Sequence, residues 1–272
     1  MGEHKRIALL DTDFVSKTHI IHMDDTHRLA DLAISLPDYS YFCHEMTITE
    51  LSRHGVNDSQ GWLQNQINTG QVQYYTDQRI LDQLGVYYDI PQAKYLEYLK
   101  NSCDAFQRGY FEMHYAALIA LPPETDNATF LTTLEICDDA IGENNSLGEK
   151  KSLVLLQLLQ FLYPQNVYVF CSDDSGARTG VISIGGVHCI SVLSLFYRLK
   201  EHGFDKATME PYFSSYETFV GRSGQTAFKV WLVSPAPKRI RVPCRQIFDD
   251  IYDGRFTLRK TGDLEYLPSS SE

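Results

Sequence analysis

Twice in this sequence an apolar run ends in a pair of acids. Ile7 to Leu10 leads into Asp11 and Asp13 in "IALLDTDFVSK", and "NVYVFC" leads through Ser172 into Asp173 and Asp174 in "SDDSGAR". Carboxylates gathered at close range in a partly buried place repel one another, and the charge is best met by hard divalent cations, Mg2+ or Mn2+. Two further acids, Glu50 in "TITEL" and Glu149 in "GEKKSLVLL", fall on stretches with helical spacing. Four carboxylate positions are therefore candidates for one site.

The elements that must position them follow from local pattern. "RIALLD" reads as a strand running into a turn and helix, and "NVYVFC" as a second strand of alternating β-formers. Residues 43–54, "CHEMTITELSRH", carry a helical repeat stopped by Gly55. "NSLGEKKSLVLLQLLQFLY" opens on Asn and Ser capping candidates and runs apolar for about four turns. After the second acidic pair, "GVHCIS" reads as a short strand and "VLSLFYRLKEHGF" as an amphipathic helix ended by Gly203. Strands alternating with helices predict an α/β fold: three α/β/α layers around a central parallel sheet. In such sheets, ligands gather outside the carboxyl ends of the strands, where the strand order reverses. Both acidic pairs stand at such ends.

Between about residues 55 and 130 the sequence is polar, tyrosine-rich and mostly helical in spacing, which predicts a helical insertion. Beyond Phe204 it shifts to aromatic, proline and basic residues, which predicts a C-terminal extension over 205–272 of strands and a short helix, attached to a main domain of residues 1–204. At 272 residues and 43% hydrophobic, the chain is long enough to bury a sizeable core.

Composition narrows the classes. The formal net charge of −11 works against a surface that is generally adhesive to nucleic acid, because affinity for phosphates comes from Lys and Arg. "PKRIRVPCR" near the C-terminus is one local basic stripe, whose ordinary meaning is a solvated strand edge. Six cysteines lie scattered, with no CxxC pair and no zinc-like His spacing, as expected of reduced core thiols. The longest apolar run is broken by Gln157, Gln160, Pro164, Gln165 and Asn166, which suits a buried helix and strand better than a membrane span. No N-terminal stretch reads as a signal peptide, so the expected location is cytoplasmic.

Four motifs in order, "LLDTD" at Leu9 to Asp13, "TITEL" at Thr47 to Leu51, "GEKKSLVLL" at Gly148 to Leu156 and "SDDSGAR" at Ser172 to Arg178, resemble those of the PIN-domain nucleases, and among them the toxin-like ribonucleases. The resemblance covers roughly residues 5 to 204. It implies Asp11, Glu50, Glu149 and Asp174 as catalytic metal carboxylates with Asp173 beside them. It implies Mg2+ or Mn2+ as cofactor and hydrolysis of RNA phosphodiester bonds. Ser172, Arg178 and Lys151 are then candidates for contacting water or the phosphate backbone. A small inhibitor or complex partner protein, and a homodimer, are the partners that the toxin-like subgroup suggests. Asp139 and Glu143, in "CDDAIGE", compete with Glu149 for the third position, the spacing from Glu50 to Glu149 is longer than in the family, and Asp13 stands where the family commonly has Asn.

Two rivals stay open. "LLDTDFV" also resembles the opening of haloacid-dehalogenase-like phosphatases, with Asp11 as nucleophile, Asp13 as general acid and the later acidic pair holding Mg2+. That reading leaves Glu50 and Glu149 without a purpose. A non-catalytic PIN-like binding or scaffold protein is the other. Taken alone, Asp13 is an ordinary helix cap, and Glu149 an acid favoured by a helix dipole.

Overall fold

The computed structural model describes residues 5–142, 146–233 and 236–268. The chain begins with strand β1 (Arg6–Leu10), helices α1 (Thr12–Ile20) and α2 (Leu29–Ile34), strand β2 (Tyr39–His44), helices α3 (Glu45–Arg53) and α4 (Asn57–Asn68), and strand β3 (Val72–Tyr75). A helical stretch follows: α5 (Asp77–Gly85), α6 (Pro91–Phe106), α7 (Tyr110–His114), α8 (Ala116–Ile119), α9 (Asn127–Ile141) and α10 (Leu147–Leu162). The chain then returns to the sheet with β4 (Tyr168–Cys171), α11 (Ser175–Ile182), β5 (Val187–Ile190) and α12 (Val192–Glu201). It closes with α13 (Lys206–Gly221), β6 (Ala227–Leu232), β7 (Lys238–Pro243), α14 (Cys244–Tyr252), β8 (Phe256–Leu258) and β9 (Leu264–Tyr266).

The first five strands form one parallel sheet in the order β3-β2-β1-β4-β5. Alternation along each strand feeds two cores. Ala8 and Leu10 of β1, with Val169 and Cys171 of β4, join the core shared with α1 to α4 and α12. Ile7 and Leu9, with Tyr168 and Phe170, join the core shared with α5, α6, α9 and α10. A strand whose side chains point alternately to opposite faces must be apolar throughout when both faces are covered, which is why "IALL" and "YVFC" carry no polar residue. The fold is a three-layer α/β/α sandwich.

The expected insertion is more than helices, since β3 lies within it and forms one edge of the sheet beside β2. The region after 204 adds a second sheet of order β7-β6-β9-β8. Its buried residues, among them Phe213, Val230, Val242, Phe248 and Leu264, belong to the same apolar cluster as Leu10 and Phe196. All six cysteines are buried and free. Among the described residues no helix is long and apolar enough to cross a membrane. In α10 the buried Gln157 is satisfied, its amide donating to the Tyr98 carbonyl at 2.9 Å and to Ser102 Oγ at 3.0 Å.

A candidate acidic active site

The chain lays down β1, β2 and β3 outward to one edge, then crosses back to place β4 on the other side of β1. The order therefore reverses between β1 and β4, where a crevice opens at the carboxyl ends. Leu10 pairs with Cys171 in register, so Asp11 and Ser172 are the first residues past the two strands. The Asp11 N–H donates to the Cys171 carbonyl at 3.0 Å, which carries the pairing to the last position before the turn.

Asp11, Glu50, Glu149 and Asp174 all line one cleft of about 410 Å³, together with Asp13 and Thr12. Each arrives by a different route. Asp11 takes the N-cap position of α1 but makes no side-chain cap bond, and its residue is only 3% exposed. Glu50 projects from α3 and accepts from Thr12 Oγ1 at 2.5 Å and from the Gly148 N–H at 2.9 Å. Glu149 stands in the first turn of α10. Asp174 caps α11, its Oδ1 accepting from the N–H groups of Gly176 at 2.5 Å and Ala177 at 3.3 Å.

The electrostatics follow from burial and like charge. Burial, then the neighbouring Asp13 and Glu149, push the Asp11 carboxyl well above the ordinary carboxylate range, against a stabilising hydrogen bond from Ser172. Burial is also the first cause lifting Glu149 from 4.5 to about 7, with Glu50 and Asp174 adding to it. In Asp11 and Glu149 the protonated form is favoured by the same two causes, burial and neighbouring negative charge.

Gly148 explains why α10 begins as it does. A Cβ at this position would lie 2.6 Å from Glu50 Cδ, so only glycine lets the carboxylate rest against the helix N-terminus. The expected Ser cap is corrected by the structure. Ser146 holds the N-cap position in a left-handed conformation, φ 55°, with no side-chain cap bond. Glu50 instead satisfies a free N–H of the first turn. The other cap candidate, Asn145, and the alternative acid Glu143 lie outside the described residues. Asp139 is exposed on α9 and sits 4.0 Å from Arg53, outside the lining of the cleft, so Glu149 is the acid that faces it.

Several other sequence assignments change. Asp13 is not a cap: its Oδ1 accepts from Ser172 Oγ at 3.2 Å and from the Asp173 N–H at 3.0 Å, and its Oδ2 faces Lys17 at 3.4 Å. Asp173 is turned out of the cleft, with one oxygen on the Lys17 ammonium at 2.7 Å and the other on the Val192 N–H at 3.2 Å, so it is not a metal ligand in this arrangement. Ser172 is fully buried and bonds Asp13 and the Asp174 N–H, holding the loop instead of meeting a substrate. Arg178 is likewise buried, donating to the carbonyls of Ser172 at 2.9 Å and Thr261 at 2.8 Å and reaching Asp263. It ties the C-terminal sheet to the acidic loop.

Lys151 is the clearest correction. One residue position past Lys150 on a fully packed helix, its side chain points into the core, where it pairs with Asp77 at 2.8 Å and Asp138 at 2.7 Å. No substrate reaches it. Burial alone works to raise the Asp77 carboxyl, but Lys151 and His44 outweigh it and hold it far below the usual range.

No family model, curated protein or solved structure matches the chain. The site must therefore be judged by its own geometry.

Among the described residues, the group whose ligating atoms lie within 4.8 Å of one another is His44, Glu45 and Asp77, and not a trio of the cleft carboxylates. The His44, Glu45 and Asp77 group is already engaged by partners within the protein. His44 Nδ1 accepts from the Met46 N–H, and Nε2 faces Asp77, which also takes Lys151 and the Tyr95 hydroxyl, while Glu45 accepts the Asp77 N–H. It is a polar core network. The cleft is the converse case: acids of hard-donor type that share one opening, two of which, Asp11 and Glu149, have their carboxyls raised by burial and by the acids around them. That donor set fits Mg2+ or Mn2+, which takes one or two carboxylates and keeps several waters, and so does not need the oxygens drawn into a closed cage.

Sequence reasoning missed Thr12, Lys17, Arg53 and His54. Thr12 holds Glu50, Lys17 bridges Asp13 and Asp173, and Arg53 and His54 bring basic groups to the cleft rim. Position along the chain gives no signal for these roles. They arise only from helices α1 and α3 meeting over the strand ends.

Proposed function

We propose that this protein is a divalent-metal-dependent phosphodiester hydrolase acting on RNA, a PIN-like nuclease, with Asp11, Glu50, Glu149 and Asp174 as its metal carboxylates. One observation carries the reading: four acids from four separate elements line a single cleft at the point where strand order reverses. A divalent ion bound there supplies Lewis acidity and a more acidic bound water. The chain's own residues do the rest. Thr12 and Gly148 orient Glu50, and Ser172 and Asp13 fix the loop from which Asp174 projects. Arg53 and His54 stand where a phosphate oxygen meets the rim of the cleft.

The phosphatase alternative needs Asp13 free to give and take a proton at the reacting group. Both Asp13 oxygens are engaged by Ser172, Asp173 and Lys17, which favours the nuclease reading.

Calorimetric titration with Mn2+, alongside cleavage of labelled RNA and DNA, tests the proposal. Wild type should bind Mn2+ and cleave RNA. Asp11→Asn should lose both, and Asp13→Asn should keep Mn2+ binding. Hydrolysis of p-nitrophenyl phosphate that depends on Asp13 would establish the phosphatase instead. A protein that neither binds Mn2+ nor cleaves either polymer is a scaffold.

A further inference from the structure

A second and larger opening, about 1010 Å³, adjoins the acidic cleft. The two share a wall: Asp13, Ser16 and Asp174 face the cleft, while Lys17, Asp173 and Ser175, their neighbours in sequence, face the groove. The far wall is the C-terminal sheet. β6 and β7 pair antiparallel with Lys229 directly opposite Arg241. The intervening residues Val230 and Val242 turn to the other face and are buried. Lys229 and Arg241 therefore stand side by side in solvent, and like charges so placed destabilise a strand pair.

Arg239 and Arg178 on the same groove both pair with the one Asp263, and Lys17 pairs with Asp13 and Asp173. Arg222, Lys229 and Arg241 have no ion-pair partner among the described residues, and all three are exposed. Charges that keep an exposed edge strand from pairing would account for β7, which is the edge of its sheet. They do not account for Lys229, which lies on the inner strand β6. In a chain of net charge −11, an unpaired cationic patch that costs sheet stability and opens beside an acidic cleft has the charge that complements a polyanion.

We infer that the groove between α13 and the β6–β7 hairpin binds the phosphate backbone of a single nucleic acid strand through Arg222, Lys229 and Arg241, leading that strand over Lys17 and Ser175 into the acidic cleft. The inference rests on the nuclease reading for its destination. The strand's charge complements the three cations, and the C-terminal extension becomes the part of the chain that recognises substrate while the main sheet acts on it.

The test is separated from catalysis by working in EDTA. Fluorescence anisotropy of a short fluorescein-labelled single-stranded RNA is followed across a salt series for wild type, Asp11→Asn, the triple variant Arg222→Gln/Lys229→Gln/Arg241→Gln, and the charge-keeping swap Lys229→Arg/Arg241→Lys. Wild type, Asp11→Asn and the swap should bind alike. The triple variant should bind at least roughly tenfold more weakly, with the slope of log affinity against log salt shallower by about 2, as three lost contacts to a single strand require. Equal binding and equal slope for the triple variant overturn the proposal, as does a wild type that binds no single strand in EDTA. So does tighter binding of a duplex, or of poly-glutamate, than of the single strand. Intact binding in EDTA with no Mn2+-dependent cleavage would instead remove the nuclease reading and leave the groove standing.

Discussion

The Glu50 carboxylate accepts the backbone N–H of Gly148 at 2.9 Å, joining two acidic motifs 98 residues apart. One bond does two jobs. It satisfies a free donor at the start of α10, and it fixes Glu50 and Glu149 on the same cleft. It is possible only because residue 148 has no side chain.

Gly148→Ala should therefore separate folding from function. Alanine favours a helix interior by about 1 kcal/mol, while the clash with Glu50 costs about 1–3 kcal/mol. The expected result is a modest net loss of stability by urea unfolding, with Mn2+ affinity down by roughly tenfold to a hundredfold because Glu50 is displaced. Full Mn2+ affinity in a folded Gly148→Ala protein would show that Glu50 is not a ligand.

The pH dependence of the metal-free protein follows from Glu149 and Asp11. Glu149 has a folded value near 7 against an ordinary 4.5, so the folded state holds its proton more tightly than the unfolded chain. Its contribution to stability is complete below about pH 4.5 and is lost as pH rises through about 7. Asp11, also raised, acts with the same sign. Glu149→Gln, compared with wild type by urea midpoint across this range, should become relatively more stable toward the alkaline side. A difference that does not change with pH would mean that Glu149 titrates normally.

Lys151→Met should be a stability variant. It leaves Asp77 and Asp138 buried without their shared cation, a loss of about 3–5 kcal/mol. Urea unfolding should show that loss, and RNA affinity of the folded protein should be unchanged. Native stability with weakened RNA binding would restore Lys151 as a substrate contact.

Part of the sheet was legible in advance because β strands covered on both faces must be continuously apolar, and "IALL" and "YVFC" satisfy that requirement locally, while "VHCI" at the sheet edge admits the half-buried His188. Gly55 and Gly203, both at positive φ, mark the ends of α3 and α12 for an equally local reason. β2 and β3 were not legible as strands: Cys43 and His44 share the helical spacing of "CHEMTITELSRH" yet end β2, and α3 begins only at Glu45. "VQYY" is four residues long, and only its first and last are buried, because an edge strand carries a weaker apolar signal.

The acids divide along the same line. That Asp11 and Asp174 lie in the turns just past strand ends was set by the sequence alone, since strand ends follow from short-range pattern. Which acids face one another was decided by tertiary structure. Asp13 and Asp173 differ little from their neighbours as residues, yet Lys17 and nearby backbone N–H groups engage both, and only Asp173 is turned out of the cleft that Asp13 lines. Lys150 and Lys151 stand side by side in "GEKKS", and only the packing of α10 against Asp77 and Asp138 turns Lys151 into the core. A charged side chain is placed by whichever partner can compensate it after burial, and that partner is 74 residues away for Asp77.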